Sequence, residues 1–363
     1  MSGTRLVDSA LPIVAAPMAG GPTTVALAAA VRAAGGFPFL AAGYKSAAAV
    51  SEEVRQARSI GGAFGVNLFV PGAMPVDEAA FRAYAAELEP EAARLGVTLD
   101  PRPVRDDDDD WAAKIALLTA DPVAVVSLTF GLPPARDISA LRRAGSRVLA
   151  TVTTAGEARA ASEAGVDGLV VQGPGAGGHS GTFDPYRMVS VVRVSAVAGG
   201  EGTAHATDVT SVASTADLVR EVRWSVNLPI IAGGGVANPR HAGELLQAGA
   251  EAVAIGTLLL RTHESGASQT HKDALADPAF TETVLTHAFT GRPARGLRNG
   301  FIDRHEPTAP FGYPALHHLT RPLRQAAAKA GDAERLHLWA GTGFRAAMVG
   351  AAGYVVRGLG RGL

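Results

Sequence analysis

The chain has 363 residues, 47% of them hydrophobic, enough for one large α/β barrel or two ordinary domains around a substantial core. A formal charge of −1 gives no basic footprint for nucleic acid or an anionic membrane, so small molecules are the expected partners. Cysteine is absent, which excludes disulfides, thiolate metal sites, cysteine-ligated iron–sulfur clusters and a catalytic thiol, and leaves any redox chemistry to a bound cofactor. The opening MSGTRLVDSALPIV lacks the basic patch and apolar core of a signal peptide, and no run approaches about 18 strictly apolar residues, so a soluble cytoplasmic protein is expected.

Short apolar runs bounded by Gly, Pro or Asn recur at 12–16, 37–41, 64–69, 123–128, 148–152, 168–171, 229–232 and 252–255. Between most of them lie Ala-rich stretches of helical propensity, such as PTTVALAAAVRAAGG, AGEARAASEAG and NPRHAGELLQAGA, several opening on a Ser, Thr or Asn cap and stopping at Gly. Eight strand–helix units with near-continuous apolar strands predict a parallel sheet buried on both faces and closed into a (β/α)8 TIM barrel over residues 1–258. Two spacings break this rhythm. Residues 70–122 carry two helical patterns separated by DPRPVRDDDDD, whose aspartates read as a solvated loop and helix start rather than a metal site. Residues 184–227 form a second insertion containing GGEGTAHATD, expected to be a mobile lid. From 259 to 363 the pattern changes to helices and proline-rich turns, predicting a smaller, mostly helical domain packed over the barrel mouth.

Chemistry in such a barrel sits at the C-terminal ends of the strands. The glycines of IIAGGGVANP and AIGT follow the seventh and eighth runs, where backbone N–H groups bind phosphate, which makes Gly234, Gly235, Gly256 and Thr257 phosphate candidates; tight turning explains either motif alone equally well. Asn67 and Gln172 end apolar runs with amides that suit a planar heteroaromatic ring, or cap the strands. VVQGPGAGGHSGTF presents one imidazole, His179, in surroundings nearly free of side chains; it suits a general base for a carbon acid, although a lone histidine more often serves the fold. Tyr44 and Lys45 stand where they could reach a substrate anion, or pack and snorkel. The other nine histidines lie away from strand ends, and adjacent His317 and His318 diverge on a helix and make a poor metal site.

Taken in order, PIVAAPMAGG, FGVNLF, VQGPGAGGHSGT, LPIIAGGGVANP, AVAIGT and FTGRPARGLRNGFID resemble the nitronate monooxygenases, formerly 2-nitropropane dioxygenases, over most of the chain. The resemblance implies a flavoprotein using FMN: Asn67 and Gln172 touching the flavin with Gly177 and Gly178 close by, Met18, Ala19 and Gly20 beside its ring, and Gly234, Gly235, Gly256 and Thr257 at its phosphate. His179 matches the family's base or substrate-orienting histidine. The implied reaction is oxidation of an alkyl nitronate, or a nitroalkane, by molecular oxygen to a carbonyl compound and nitrite. The expected partners are a small-molecule substrate and oxygen, with a homodimer admitted. A glutamate common in the family is replaced by Pro174-Gly175, which bears on the substrate more than on the flavin. The alternatives are a related FMN-dependent enoyl-thioester reductase using NAD(P)H and a catalytically silent FMN-binding protein.

Overall fold

The computed structural model of the chain describes residues 6–72, 74–187 and 214–363. Parallel strands β1 (Ile13–Ala15), β2 (Phe37–Ala41), β3 (Gly65–Phe69), β4 (Val125–Thr129), β5 (Arg147–Val152), β6 (Gly168–Gln172), β8 (Ile230–Gly233) and β9 (Ala252–Ile255) pair in that order, and β9 pairs back onto β1 to close the barrel. β7 (Gly178–His179) stands outside it. Successive side chains alternate between two cores, which is why the strands read as continuous apolar runs. Val14, Phe37, Phe39, Val125, Leu149, Ile231 and Ala252 cluster with Leu6 and Val7, while Ile13, Leu40, Val66, Val126 and Val148 pack with helix residues such as Leu27, Val50 and Leu141.

The first helices are α1 (Val25–Ala33), α2 (Ala47–Ile60), α3 (Glu78–Arg94), α4 (Trp111–Ala120), α5 (Ala135–Ala144) and α6 (Ala155–Glu163). Four of the six start where the sequence supplies caps: the side chains of Thr24, Ser46, Asp77 and Thr154 each accept a backbone N–H from the first turn. α7 (Thr215–Ser225) opens with a capping box between Ser214 and Asp217, and α8 (Pro239–Gln247) with an Asn238 cap and proline in its first turn.

Both interruptions are reassigned by this arrangement. Within 70–122, α3 leaves the barrel and α4 is a barrel helix packed on α2 and α5. Within 184–227, α7 is likewise a barrel helix, since Leu218, Val219 and Val222 join the core shared with the strands. GGEGTAHATD, at 199–208, lies outside the described residues.

The tail holds α9 (Gln269–Ala274), β10 (Thr283–Thr286), β11 (Ala294–Leu297), α10 (Gly300–His305), α11 (Ala315–Ala330) and α12 (Ala352–Leu359). It is mostly helical, as expected, and adds a small sheet that was not: β10, β11 and β7 form three antiparallel strands. Phe81, Tyr84 and Leu88 of α3 share a core with Phe289, Phe301, Leu316 and Leu323, so the smaller unit is assembled from two distant stretches. The expected boundary at residue 258 is crossed again at the end of the chain, where Ala352, Val356 and Leu359 of α12 return to the barrel core beside α1. Among the described residues no helix is long and apolar enough to cross a membrane.

Candidate active site

A cavity of about 650 Å³ opens at the C-terminal ends of the strands, and every residue expected from the sequence to hold the cofactor or substrate lines it, whereas Pro174 and Gly175 do not. One side is backbone. Among the described residues none accepts a hydrogen bond from the N–H of Gly234, Gly235 or Gly256, all three of which line the cavity, so these donors are left for solvent or a ligand. Gly234 has φ +129°, and a Cβ there would stand 2.9 Å from Gly173 O. A Cβ on Gly177 would meet the Ala340 and Gly341 backbone at 2.4 Å. These positions admit glycine alone without moving the loops that wall the cavity. Thr257 Oγ1 accepts from Gly341 N at 2.9 Å, which leaves its hydroxyl proton for a ligand. Asn67 is buried at the centre; its Nδ2 donates to Ser127 Oγ and Thr129 Oγ1, both at 2.9 Å, so its carbonyl oxygen is the group left for a ligand.

The loop carrying His179 is held from both ends. Gln172 Nε2 donates to His179 O at 3.0 Å and its Oε1 accepts from Gly181 N at 2.7 Å, so the amide expected to meet the flavin is engaged in folding this loop. Glu157, a residue that sequence reasoning passed over, accepts from Thr182 Oγ1 at 2.7 Å and Phe183 N at 2.9 Å and fixes the loop's far end. β7 pairs His179 with Ala294 of the tail. His179 Nε2 lies 2.9 Å from Thr290 Oγ1, whose own proton goes to Arg292 O at 3.2 Å. This network assigns the imidazole hydrogen to Nε2 and leaves the Nδ1 lone pair as the basic position.

The cavity's chemistry owes as much to the tail as to the barrel. Phe130, Tyr313 and Trp339 surround the His179 ring at centroid distances of 5.8, 5.9 and 5.6 Å. Arg292 and Arg324 are buried, 4% and 6% exposed, and hydrogen-bond to carbonyls and a hydroxyl: Arg292 to Ser180 O and Thr182 O, Arg324 to His317 O at 2.8 Å and Thr320 Oγ1 at 3.0 Å. Arg324 lines the cavity, whereas Arg292 lies over the far side of Phe130 in an adjoining pocket; neither forms an ion pair with a carboxylate among the described residues. Burial and these two charges push His179 down to about 3, so its imidazole is neutral at physiological pH. Both arginines, lowered by burial to about 10, stay charged. Tyr44 is pushed up to about 12 and Tyr313 also upward, chiefly by burial, so both remain phenols. Tyr313 donates to the Tyr44 hydroxyl at 3.3 Å, which frees the Tyr44 O–H as a donor. Such a pocket suits a small anion beside a neutral base.

Three histidines set aside for lying away from strand ends, His271, His317 and His337, also line the cavity, with Arg321 and Arg324. The signal that could have found them is the density of His and Arg in YPALHHLTRPLR, whose i, i+4, i+7 spacing puts His317, Arg321 and Arg324 on one face of α11. His317 stacks on Tyr44 at 4.1 Å, whereas His318 bonds Asp107 at 2.7 Å. Lys45 departs from its expected role, because its ammonium is held by Glu53 at 2.7 Å. The acidic run is an exposed loop and helix start as expected, with Asp110 preceding α4, but its partly buried Asp109 accepts from Tyr44 N at 2.8 Å and Asp110 from Ala47 N at 3.0 Å, which ties the run to the site.

The neutral histidines have a consequence for stability. His179, His271, His317 and His337 are all held below the usual imidazole value, chiefly by burial, His271 at about 4. A group with a depressed folded pKa binds its proton in the unfolded chain first, so stability is lost as pH falls through the window from about 6.5 towards 4. Each such histidine contributes about 1.4 kcal/mol per pH unit there. Urea denaturation of His271→Gln is expected to show a pH slope reduced by about that amount between pH 6 and 5; an unchanged slope would mean that this imidazole is protonated in the fold.

The family model for nitronate monooxygenase matches residues 4–360. A probable nitronate monooxygenase of Staphylococcus aureus (strain Newman) is 33% identical over 343 residues, covering 93% of this chain and 90% of that protein. The solved nitroalkane oxidase from Streptomyces ansochromogenes is 46% identical with a TM-score of 0.86, covering 97% of this chain and 95% of that one. FabK from Thermotoga maritima, 24% identical with a TM-score of 0.70 over 98% of this chain and 93% of its own, shares the fold. A match running almost from end to end, on a barrel whose mouth gathers these motifs around His179, makes this chain an oxidoreductase belonging to the nitronate monooxygenase family.

Proposed function

We propose that the protein is an FMN-dependent enzyme that oxidises alkyl nitronates with molecular oxygen to a carbonyl compound and nitrite, and prefers the preformed nitronate to the neutral nitroalkane. The observation that carries this preference is the buried, charged Arg324 that lines the cavity beside a neutral imidazole, without a carboxylate partner among the described residues, and backed by the charge of Arg292 behind Phe130. Desolvated guanidinium groups are costly unless an anion completes them, and a nitronate is a small planar anion that does so.

The residues present fit the cofactor. The N–H groups of Gly234, Gly235 and Gly256, without acceptors among the described residues, would hold its phosphate with the Thr257 hydroxyl, and Asn67, the Met18–Gly20 backbone, Gly177 and Gly178 would border its ring. Bound FMN supplies the electron-accepting centre that the cysteine-free chain lacks. The chain's own part is to orient and neutralise. Arg324 and the Tyr44 O–H compensate the nitronate oxygens, and the aromatic rings of Phe130, Tyr313 and Trp339 exclude water around the His179 Nδ1 lone pair. For a neutral nitroalkane, that nitrogen takes the α-proton.

Two measurements follow. FMN-loaded protein in air is expected to consume oxygen and release nitrite with ethyl nitronate; loaded protein that does neither with any alkyl nitronate would overturn the assignment. Gly234→Ala is expected to weaken FMN binding by about 10- to 100-fold in a flavin-fluorescence titration, because the shifted loop loses charge-assisted N–H contacts. Unchanged affinity would remove this loop from the phosphate site.

A further inference from the structure

The acidic run DDDDD, at 106–110, is not used by the reaction as described, yet Asp109 touches a residue that is. Tyr44 sits at φ +66°, a left-handed conformation that a bulky side chain rarely adopts without being held. The hold is visible. Asp109 Oδ1 accepts from Tyr44 N at 2.8 Å, and Asp109 Oδ2 lies 2.8 Å from Lys114 Nζ. Lys114 is 1% exposed and also donates to Ala42 O at 3.0 Å, two residues before Tyr44. Asp109 and Asp110 are themselves left-handed, at φ +56° and +54°, so the run is folded onto this loop rather than passing by it. The Tyr44 ring that results is stacked on His317 with 7° between planes, edge-on to Phe69 at 5.3 Å, and joined through its hydroxyl to Tyr313, the neighbour of His179.

We propose that Asp109, braced by Lys114, is a positioning residue for substrate binding: it locks the backbone of Tyr44 so that the phenol points its O–H at the anion. This rests on the reading of the cavity as a nitronate site. Lys114 presents the opposite charge to Asp109 and Asp107, on the same loop, a like one; the Tyr44 and Tyr313 hydroxyls are titratable groups on which the charge of Asp109 acts. Loss of the lock frees the ring while leaving the barrel and the glycine cradle in place, so the effect should fall on binding.

The test is a double-mutant cycle on FMN-loaded protein with Tyr44→Ala, Asp109→Leu and both, read as KM and kcat for ethyl nitronate and as the calorimetric Kd for nitrate, an unreactive planar anion. Each single change is expected to raise KM and the nitrate Kd at least tenfold with kcat altered less than threefold, and the double variant should be no worse than Tyr44→Ala. Asp109→Asn, which keeps an oxygen for the Tyr44 N–H, should recover most of the loss. If Asp109→Leu does not fold, Asp109→Leu with Lys114→Met removes both buried charges and takes its place in the cycle. Independent, multiplying losses, or an Asn variant as impaired as Leu, would overturn the proposal. A wild-type enzyme inert towards nitronates would instead overturn the reaction, and the nitrate cycle would still decide the role of Asp109.

Discussion

Replacing His179 with alanine is expected to slow turnover of a neutral nitroalkane by about 10²- to 10⁴-fold while changing turnover of the preformed nitronate by less than about tenfold. The asymmetry follows from what the imidazole can do. With Nε2 committed to Thr290, the Nδ1 lone pair is the basic group among aromatic walls, and a carbon acid needs it whereas a nitronate has already lost its proton. The proton affinity of His179 is low, held near 3 by burial and by Arg292 and Arg324, so nitroalkane oxidation should be the slower reaction even in the wild-type protein. For the same reason the rate on nitronate should show no histidine limb between pH 5 and 8. Stopped-flow comparison of nitroethane with its nitronate checks both statements. Equal losses on the two substrates would give His179 an orienting role instead.

Arg324→Met is the second large effect. Methionine preserves much of the side-chain volume while removing a charge that is 6% exposed, so KM for nitronate should rise about 30- to 1000-fold, the range for truncating a buried charged partner of an anion. Stability should move in the other direction or stay within about 1 kcal/mol, since a desolvated cation without a carboxylate partner is removed along with its hydrogen bonds to His317 O and Thr320 Oγ1. Michaelis constants and urea midpoints measured together distinguish this from misfolding. A variant with unaltered KM would show that the anion is held elsewhere.

The barrel was legible because parallel strands buried on both faces leave uninterrupted apolar runs, and the eight runs became the eight barrel strands with ends displaced by at most two residues. Strand-end residues were legible for the same reason: once the strands are placed, Asn67, Gln172, Gly234 and Gly256 must meet at one mouth. The tail was not. Its contribution depends on pairings that no local pattern announces, such as β7 with β11, α3 with the Phe289–Phe301 core, and the return of α12 to the barrel. Arg324 shares a helix face with His317 and Arg321, but what brings that face, Trp339 and the neighbouring Arg292 to the barrel mouth is tertiary contact. Asp109 was misjudged because a run of aspartates is ordinarily solvated, and nothing near it in sequence reveals that Tyr44 and Lys114 converge on one carboxylate.

The most direct test of the nitronate reading is the visible spectrum of FMN-loaded protein mixed with ethyl nitronate under anaerobic conditions and then exposed to air. Bleaching of the flavin by the nitronate alone, and return of its colour with nitrite release when oxygen is admitted, is the predicted result. A flavin indifferent to nitronates but bleached by NAD(P)H and recoloured by an enoyl thioester would contradict it.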